Sequence, residues 1–337
     1  MEATRRAVSE RWIEQEVAGA PTLVLEAGRC ALGHDAPPVE RSNGFDFEYA
    51  TLRNPLRGVE CSTCGVWYLD PRPAADDFSQ IYPDDYAAYE MEEQAEAARS
   101  IAFRAKSRLE AIKIREYERY AGALPGQVLD VGCGDGSLLD GFRRAGVSAE
   151  TLEGVDFHPA AIERARSKGY RILEGVIERV PLEPERYRLI VMNQLIEHVV
   201  EPVEVLRRLH TSLVPGGVVF LETPNTASLN ARLAPRAYWG GYHYPRHLHL
   251  FSPATMRQAL EQAGLELVQV RYVPCPVQWV LTINNWLKGQ KRPWPLALRL
   301  TDWRNPLWLA AFTALDLLFM TFGAGSANMQ IVARRPA

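Results

Sequence analysis

The chain has 337 residues, more than a typical single domain, so a core domain with appended segments is expected. A formal net charge of −3 and dispersed arginine and lysine residues exclude nucleic-acid binding by bulk electrostatics. Residues 1–16 lack the apolar stretch of a secretory signal, and the five cysteines are odd in number and irregularly spaced. These features predict a cytoplasmic protein without a disulfide framework.

The first 90 residues are predicted to form a charged helical arm, over 1–20, and a short turn-rich module. Prolines punctuate the module, which is too small to hold a large apolar core of its own, so a metal ion is a plausible source of stability. Residues 91–125 follow with helical spacing and, as far as Tyr120, no glycine or proline. This segment is predicted to be a connecting helix.

Two short segments of the module carry candidate metal ligands. Cys61 and Cys64 enclose a CxxC turn followed by Gly65, the form of a zinc knuckle. Upstream, Cys30 and His34 offer a thiolate and an imidazole separated by three residues. Together the four side chains would make a Cys3His tetrahedron around a structural zinc ion. The alternative is a degenerate knuckle whose cysteines pack as small apolar side chains.

Residues 128–136 read Val-Leu-Asp-Val-Gly-Cys-Gly-Asp-Gly, an apolar strand running into a glycine-rich turn. Gly132, Gly134 and Gly136 would let the backbone turn sharply and approach a flat, partly charged ligand. A dinucleotide fingerprint places its third glycine three residues after the second, whereas the spacing here is two. Asp130 favours a ligand that carries an ammonium and a sulfonium over a pyrophosphate.

A second acid, Asp156, closes the next apolar run, where its carboxylate can accept both hydroxyl protons of a ribose. At this point the chain resembles the class I S-adenosylmethionine-dependent methyltransferases. The resemblance covers residues 126–274 and the last ten residues, including a third strand near 174–181, a fourth at 189–198 and a fifth ending at 221. Cofactor contacts are implied at Asp130, Gly132, Gly134, Gly136, Asp156, Phe157, Val176, Ile177 and Asn193.

The resemblance implies an α/β fold with a Rossmann-like seven-stranded sheet, parallel except for an antiparallel last strand and flanked by helices. This methyltransferase domain is expected over 126–337, with S-adenosylmethionine as cofactor. Two alternatives stay open. One is a non-catalytic binding protein built on the nucleotide fold, which the intact loop and both acids disfavour. The other is an NAD-dependent oxidoreductase, which the glycine spacing disfavours.

An insertion at 275–325 separates the predicted sixth strand, at 265–273, from the last strand, at 327–335. It contains several tryptophans and a mostly apolar helix over Leu307–Phe322, interrupted by Asp316. That helix is shorter than a membrane span and carries an acid, so it is not predicted to cross a membrane. A buried lid or a dimer contact is expected, and peripheral contact with a membrane or a lipid-like substrate is the alternative.

Methyl transfer needs an in-line nucleophile and, where that nucleophile is not already an anion, a proton acceptor. His243 and His247 lie between the fifth strand and the next helix, where the family usually places substrate residues. His247 is the first candidate for the base, and a structural tie of this loop is its alternative role. His198 follows Glu197 after the fourth strand and would either act as a base or orient the cofactor.

Ubiquinone-pathway O-methyltransferases resemble this region, but the first carboxylate of their metal-associated Glu-x-x-Glu-His is here Gln194. The neutral amide argues against catalytic magnesium and weakens the case for a quinone precursor. Several small-molecule methyltransferases carry an N-terminal zinc module, usually with two CxxC pairs, a pattern from which His34 departs. The sequence therefore predicts methyl transfer to oxygen or carbon of a small or lipid-like metabolite, such as a sugar, polyketide or lipid intermediate. The methyl acceptor and the oligomeric state stay open.

Overall fold

The computed structural model describes residues 19–82, 101–122, 126–290, 297, 301–302 and 305–337. Most of the predicted helical arm at 1–20, the start of the predicted connecting helix at 91–100 and its last residues at 123–125 lie outside the described residues. Within them, the connecting helix runs over Ile101–Ala121, in agreement with its helical sequence pattern.

The described strands and helices are numbered in chain order. The strands are β1 Leu25–Glu26, β2 Pro38–Gly44, β3 Leu56–Cys61, β4 Trp67–Leu69, β5 Arg72–Pro73, β6 Gln127–Val131, β7 Leu152–Asp156, β8 Arg171–Glu174, β9 Tyr187–Asn193, β10 Leu213–Pro224, β11 His249–Leu250, β12 Glu266–Val273 and β13 Asn328–Arg334. The α-helices are α1 Ile101–Ala121, α2 Ser137–Arg144, α3 Pro159–Ser167, α4 Pro202–Ser212, α5 Leu229–Leu233, α6 Pro253–Gln262, α7 Pro276–Lys288 and α8 Pro306–Thr321. Short 3-10 helices lie at Ala75–Ile81, Ala149–Thr151 and Gly240–Tyr242.

The large sheet has seven strands in the order β12-β13-β10-β9-β6-β7-β8. The pairs β10–β9, β9–β6, β6–β7 and β7–β8 are parallel. Strand β13 runs antiparallel to β10, because Gly216 N donates to Arg335 O (3.0 Å) while Arg335 N donates to Gly217 O (2.9 Å). The seven-stranded methyltransferase sheet with an antiparallel last strand is confirmed.

The core of this sheet follows from its sequence. Residues 189–192 of β9 are apolar and fully buried, as expected for a central strand of a sheet covered on both faces. On one face, the Tyr117 ring of α1 lies 4.6 Å from the Phe220 ring of β10 and 5.7 Å from the Phe142 ring of α2, measured between centroids. These aromatic contacts fix α1 and α2 against the sheet.

The chain divides into two compact units. The first unit comprises the described parts of Met1–Pro83, Thr223–Gln258 and Arg271–Gln330, and the second comprises those of Asp84–Glu222, Ala259–Val270 and Ile331–Ala337. The boundaries predicted at residues 90 and 125 stay a prediction.

The first unit contains a four-stranded antiparallel sheet in the order β11-β4-β3-β2, and a two-stranded sheet of β1 and β5. Strand β11 pairs His249 with Tyr68, so a late segment completes a sheet that begins near the N-terminus. The His249 ring also makes a hydrogen bond through Nε2 to the carbonyl of Arg29 (3.1 Å). His249 is therefore a structural histidine.

The insertion forms a helix pair, α7 and α8, which belongs to the first unit. The predicted apolar helix is confirmed as α8. The single charged side chain of α8, Asp316, is buried and accepts hydrogen bonds from Trp279 Nε1 (2.8 Å) and from the backbone N–H of Cys275 (2.7 Å). Among the described helices, none combines the length and the apolar character needed to cross a membrane.

Candidate functional site

The glycine loop follows β6 in the second unit. Gly132, Gly134 and Gly136 have φ values of +78°, +54° and +83°, in the left-handed region that favours glycine. The amides of Gly132 and Cys133 both donate to the carbonyl of Val155, at 2.8 and 3.1 Å. The alternate glycines are thus required by the backbone path of the turn, which a ligand can approach closely.

Asp156, at the end of β7, holds this loop in place. One carboxylate oxygen accepts the amide of Gly134 (2.8 Å), and the other accepts the amide of His158 (2.8 Å). Each carboxylate oxygen can accept a further hydrogen bond, so the side chain retains capacity for a ligand's hydroxyl groups. His158 caps α3, because its side chain accepts a hydrogen bond from the backbone N–H of Ala161 (3.4 Å).

Three further residues with implied cofactor contacts, Phe157, Val176 and Ile177, lie close to Asp156 in the chain or in the turn after β8. Phe157 directly follows Asp156. Glu174 on β8 is paired with Asp156 in the register of the sheet. The amide of Gly175 donates to the backbone carbonyl of Asp156 (2.8 Å), which ties the start of the next turn to β7. Val176 is partly exposed and Ile177 is buried in that turn.

A buried polar group lies on the face of the sheet that α1 covers. Asp130 of β6 is 4% exposed. Burial raises the pKa of the Tyr117 phenol, and the nearby charges of Glu222 and Asp130 raise it further. Tyr117 and Glu222 were absent from the predicted site, although an acid ending an apolar strand, as Glu222 does, is a signal that could have found it.

The four predicted metal ligands come together in the first unit. Their donor atoms all lie within 4.8 Å of one another, with Cys30 Sγ at 3.5 Å from Cys64 Sγ and 3.8 Å from His34 Nδ1. A tetrahedral zinc ion with Zn–S bonds of about 2.3 Å separates its ligand atoms by roughly 3.5–3.8 Å. The Cys30, His34, Cys61 and Cys64 set therefore fits that ion.

Two tight turns, at residues 30–33 and 61–65, carry the cysteine ligands. Gly33 and Gly65 have φ values of +76° and +81°, and their amides donate to the carbonyls of Cys30 and Cys61, respectively, both at 2.9 Å. Burial raises the pKa of the Cys61 thiol, but hydrogen bonds from the backbone of Cys64 and Thr63 outweigh it and leave that pKa lowered. Burial raises the pKa of Cys64 to about 12.

The histidine segment after β10 is tied to the N-terminal part of the first unit. His243 Nδ1 lies 2.6 Å from Glu48 Oε2, and its backbone has a φ of +41°, a strained value for a residue with a side chain. His247 Nδ1 lies 2.8 Å from the carbonyl oxygen of Gly241. Because a carbonyl only accepts, Nδ1 of His247 carries the proton, and Nε2 is the acceptor nitrogen of the neutral ring.

Between these histidines, Arg246 forms a buried ion pair with Asp46. Both side chains are 0% exposed, and the contacts are bidentate, Nη1 to Oδ1 at 3.1 Å and Nη2 to Oδ2 at 3.0 Å. Burial raises the pKa of Asp46, but the charge and hydrogen bonds of Arg246 outweigh it, so the pKa of this carboxyl is lowered. The pair anchors the backbone that carries His243 and His247.

The remaining candidate, His198, lies in a turn of the second unit after β9. Its amide donates to the carbonyl of Leu195 (2.9 Å). Gln194 begins the turn with a φ of +49°, and its backbone N–H donates a hydrogen bond to the backbone carbonyl of Glu222 (2.7 Å). The turn therefore fixes Gln194 at the carboxyl end of β9, beside β10.

Comparison with known proteins decides the family. The family model described as "Methyltransferase domain" matches residues 101–270, which are 170 of the 337 residues. The chain belongs to this methyltransferase family. It is an S-adenosylmethionine-dependent methyltransferase, and the oxidoreductase alternative is wrong.

Relatives of this methyltransferase include two ubiquinone biosynthesis O-methyltransferases. That of Bordetella avium is 30% identical over 174 residues, 46% of this chain and 68% of the relative. That of Acinetobacter baylyi is 29% identical over 185 residues, 49% of this chain and 74% of the relative.

Solved structures similar to this methyltransferase include an S-adenosylmethionine-dependent methyltransferase from Mesorhizobium loti. It is 16% identical, covers 62% of this chain and 90% of its own, and has a TM-score of 0.42. Geranyl diphosphate C-methyltransferase from Streptomyces coelicolor is also 16% identical, covers 68% and 78%, and has a TM-score of 0.46.

Proposed function

We propose that S-adenosylmethionine binds at the carboxyl ends of β6, β7 and β9. Asp156 accepts hydrogen bonds from the ribose hydroxyls, the turn containing Gly132, Gly134 and Gly136 lies beneath the methionine portion, and Asp130 favours its ammonium. The observation that carries this proposal is the left-handed conformation of all three glycines, held by the Asp156 carboxylate. Phe157, Val176, Ile177 and Asn193 complete the cofactor contacts.

Calorimetry on the Asp156→Ala variant tests this assignment. Two charge-assisted hydrogen bonds of about 1.5–3 kcal/mol each would be lost, so affinity for the cofactor should fall at least tenfold. Glu174→Ala is the matched control, because this carboxylate ends the neighbouring strand in register with Asp156. Unchanged affinity in Asp156→Ala, or an equal loss in the control, would contradict the proposal.

We also infer that a histidine of the 243–247 segment takes the proton of the methyl acceptor, with His247 first. The hydrogen bond from His247 Nδ1 to the Gly241 carbonyl supports it, because that bond leaves Nε2 as the basic nitrogen. His243 is the second candidate, since a carboxylate at 2.6 Å orients its ring. Glu48 is then a positioning residue, comparable to the acid of a catalytic triad.

Turnover and cofactor affinity of single variants separate these roles. His247→Asn should lower turnover by roughly a hundredfold and leave cofactor affinity nearly unchanged, since general-base catalysis typically contributes that much. The pH profile should also lose its ascending limb. If His243→Asn and Glu48→Gln lose that limb instead, His243 is the base. His198→Asn is the comparison: loss of cofactor binding there assigns His198 an orienting role. Intact turnover in both His247→Asn and His243→Asn would show that neither histidine is the base.

The Cys3His set is proposed to hold one structural zinc ion per chain. Four protein ligands leave no open coordination position, which is typical of structural sites. Elemental analysis of purified protein should find one zinc per chain, and chelation should destabilise the first unit more than the second. Zinc-free protein would refute the site. Zinc retained in the His34→Ala variant would remove only the fourth ligand.

The methyl acceptor is proposed to be a small or lipid-like metabolite, such as a sugar, polyketide or lipid intermediate, with transfer to oxygen or carbon. The name of the relatives, ubiquinone biosynthesis O-methyltransferase, supports oxygen. Gln194 is neutral where the metal-associated Glu-x-x-Glu-His motif has its first carboxylate, so this chain offers a magnesium ion one carboxylate fewer. Turnover should therefore not change when magnesium is omitted. Assays with radiolabelled cofactor and a panel of sugar, phenolic and lipid acceptors test the class. A cytoplasmic location, with peripheral contact to a membrane, belongs to the same proposal.

A further inference from the structure

The second unit has an open cleft of about 290 Å³ beside α4. One wall is the loop of residues 179–182, which leads from the turn after β8 towards β9. The other wall is a single face of α4, because its lining residues are spaced three and four positions apart: Glu204, Arg207, Arg208 and Thr211. None of the lining residues is a proposed cofactor contact. The cleft therefore lies outside the proposed cofactor site.

Arginines dominate the charge of this cleft. Three of its lining residues are arginines and one is a glutamate, so the lining has a formal net charge of +2 in a chain whose total is −3. Arg207 pairs with Glu204, at 3.3 Å between Nη1 and Oε2. Arg179 and Arg208 form no ion pair with any residue that the structure describes. The unbalanced positive charge thus belongs to these two side chains.

The neighbouring carboxylates do not neutralise this charge. Glu183 pairs with Arg171 and Arg186, at 3.6 and 2.8 Å, and Glu185 pairs with Arg335 at 2.6 Å. Both acids just before β9 are therefore engaged by other arginines. A concave surface with excess charge of one sign raises the local concentration of oppositely charged ligands, which here are anions.

Arg208 is oriented by the protein itself. Its side chain is half-buried, and Nη2 donates to the backbone carbonyl of Val180. Its Nε is buried and has no hydrogen-bond partner among the described residues. A partly buried guanidinium that contacts a neutral carbonyl and no carboxylate is incompletely satisfied, so an anion beside it would be stabilising. Arg179, on the opposite wall, is exposed and lines the same cleft.

We propose that this cleft binds the phosphate group of a small molecule between the guanidinium groups of Arg179 and Arg208. The planar N–H fork of arginine matches two phosphate oxygens at once, which the ammonium of lysine does not. Pro181 is exposed and Leu182 is half-buried in the same lining, so they can contact the organic part of a phosphate ester. The inference goes beyond the proposed methyl transfer and depends neither on the methyl acceptor nor on the cofactor contacts.

Calorimetry on the full chain with inorganic phosphate and with phenyl phosphate tests the site. Both probes should bind, and added sodium chloride should weaken binding, because exposed charges are screened by salt. Tighter binding of phenyl phosphate would assign the site to phosphate esters, and equal binding would assign it to free phosphate. Arg179→Gln should weaken binding about tenfold, because hydrogen bonds between charged partners are lost. Glu204→Gln should strengthen it about two- to fivefold, because this variant removes the only carboxylate of the lining and releases Arg207.

Arg115→Gln is the matched control, because Arg115 is exposed on α1 in the same unit and forms no ion pair with a described residue. It should bind both probes as the wild type does, and circular dichroism should be unchanged in every variant. Arg208→Gln provides a second loss variant on the opposite wall. The proposal would be overturned by the absence of binding heat with both probes, by unchanged binding in both Arg179→Gln and Arg208→Gln, or by an equal loss in the control. Acetate binding as tightly as phosphate would also overturn it, since that would show a basic surface without selectivity for phosphate.

Discussion

Replacing Asp46 by asparagine should destabilise the first unit by about 3–5 kcal/mol, because it leaves the Arg246 guanidinium buried without a countercharge. Both side chains are 0% exposed, so solvent cannot compensate the charge. For a unit of this size, each kcal/mol shifts Tm by about 2–4 °C, so the midpoint should fall by about 6–20 °C. Guanidinium does not deprotonate in proteins, so the loss should persist at neutral and higher pH, and it should shrink only in acid, as pH falls through the lowered pKa of Asp46 in the wild type.

The reverse variant, Arg246→Met, should behave differently with pH. Asp46 keeps hydrogen bonds from the Thr51 amide (2.9 Å) and hydroxyl (2.7 Å), but burial now raises its pKa instead of Arg246 lowering it. The carboxyl can then be protonated, so the cost of this variant should shrink as pH falls through the raised pKa. The double variant should lose less stability than either single one, since it leaves no unpaired charge.

Tryptophan fluorescence is a selective assay for these variants. The sequence ranges of the second unit contain no tryptophan, and the tryptophans among the described residues all belong to the first unit: Trp67, Trp239, Trp279, Trp286 and Trp308. Unfolding followed by fluorescence at pH 7.5 and at lower pH therefore reports the first unit. A loss below about 1 kcal/mol in Asp46→Asn, or a double variant as unstable as the sum of the single ones, would refute the reasoning.

Two further outcomes concern stability. Asp316→Leu should lower the stability of the first unit by about 1–3 kcal/mol, because it leaves Trp279 Nε1 and the Cys275 amide without their acceptor; an unchanged fluorescence midpoint would contradict this. In the second unit, burial raises the pKa of Asp135, but hydrogen bonds from Ser137 and Lys168 outweigh it and lower that pKa. Its stabilisation is complete above the unfolded pKa and is lost as pH falls through the lower folded value. Lys168→Met should move acid unfolding, followed by circular dichroism, to higher pH, and an unshifted midpoint would show that Lys168 does not stabilise this carboxylate.

The parts of the fold that could be predicted are those whose signal is local. The glycines at alternate positions after an apolar strand fix the turn, and their left-handed φ values follow directly from that pattern. The apolar run of α8 was predicted to within a residue at each end, because one helix contains the whole pattern. Neighbouring parallel strands then follow from the order of apolar runs along the chain.

What could not be predicted depends on pairs that are far apart in the sequence. Asp46 and Arg246 are separated by 200 residues, and Glu48 and His243 by 195. No periodicity or spacing identifies such partners, since each residue alone resembles an ordinary surface charge. The sequence placed His243 and His247 in a substrate segment, but the carboxylate and carbonyl that orient their rings appear only in three dimensions.

The two-residue strand β11 also sets an order of events during synthesis. His249 pairs with Tyr68, 181 residues earlier, so the four-stranded sheet cannot close until the chain beyond residue 250 has left the ribosome. Protein synthesis adds roughly 5–20 residues per second, so about 10–40 s pass between the synthesis of β4 and that of β11, and the edge of β4 is unpaired for that time. During that interval an unpaired strand edge is open to association with other nascent chains. Temporary protection of this edge, by a chaperone or by early metal capture at the nearby cysteines, would raise the yield of native protein.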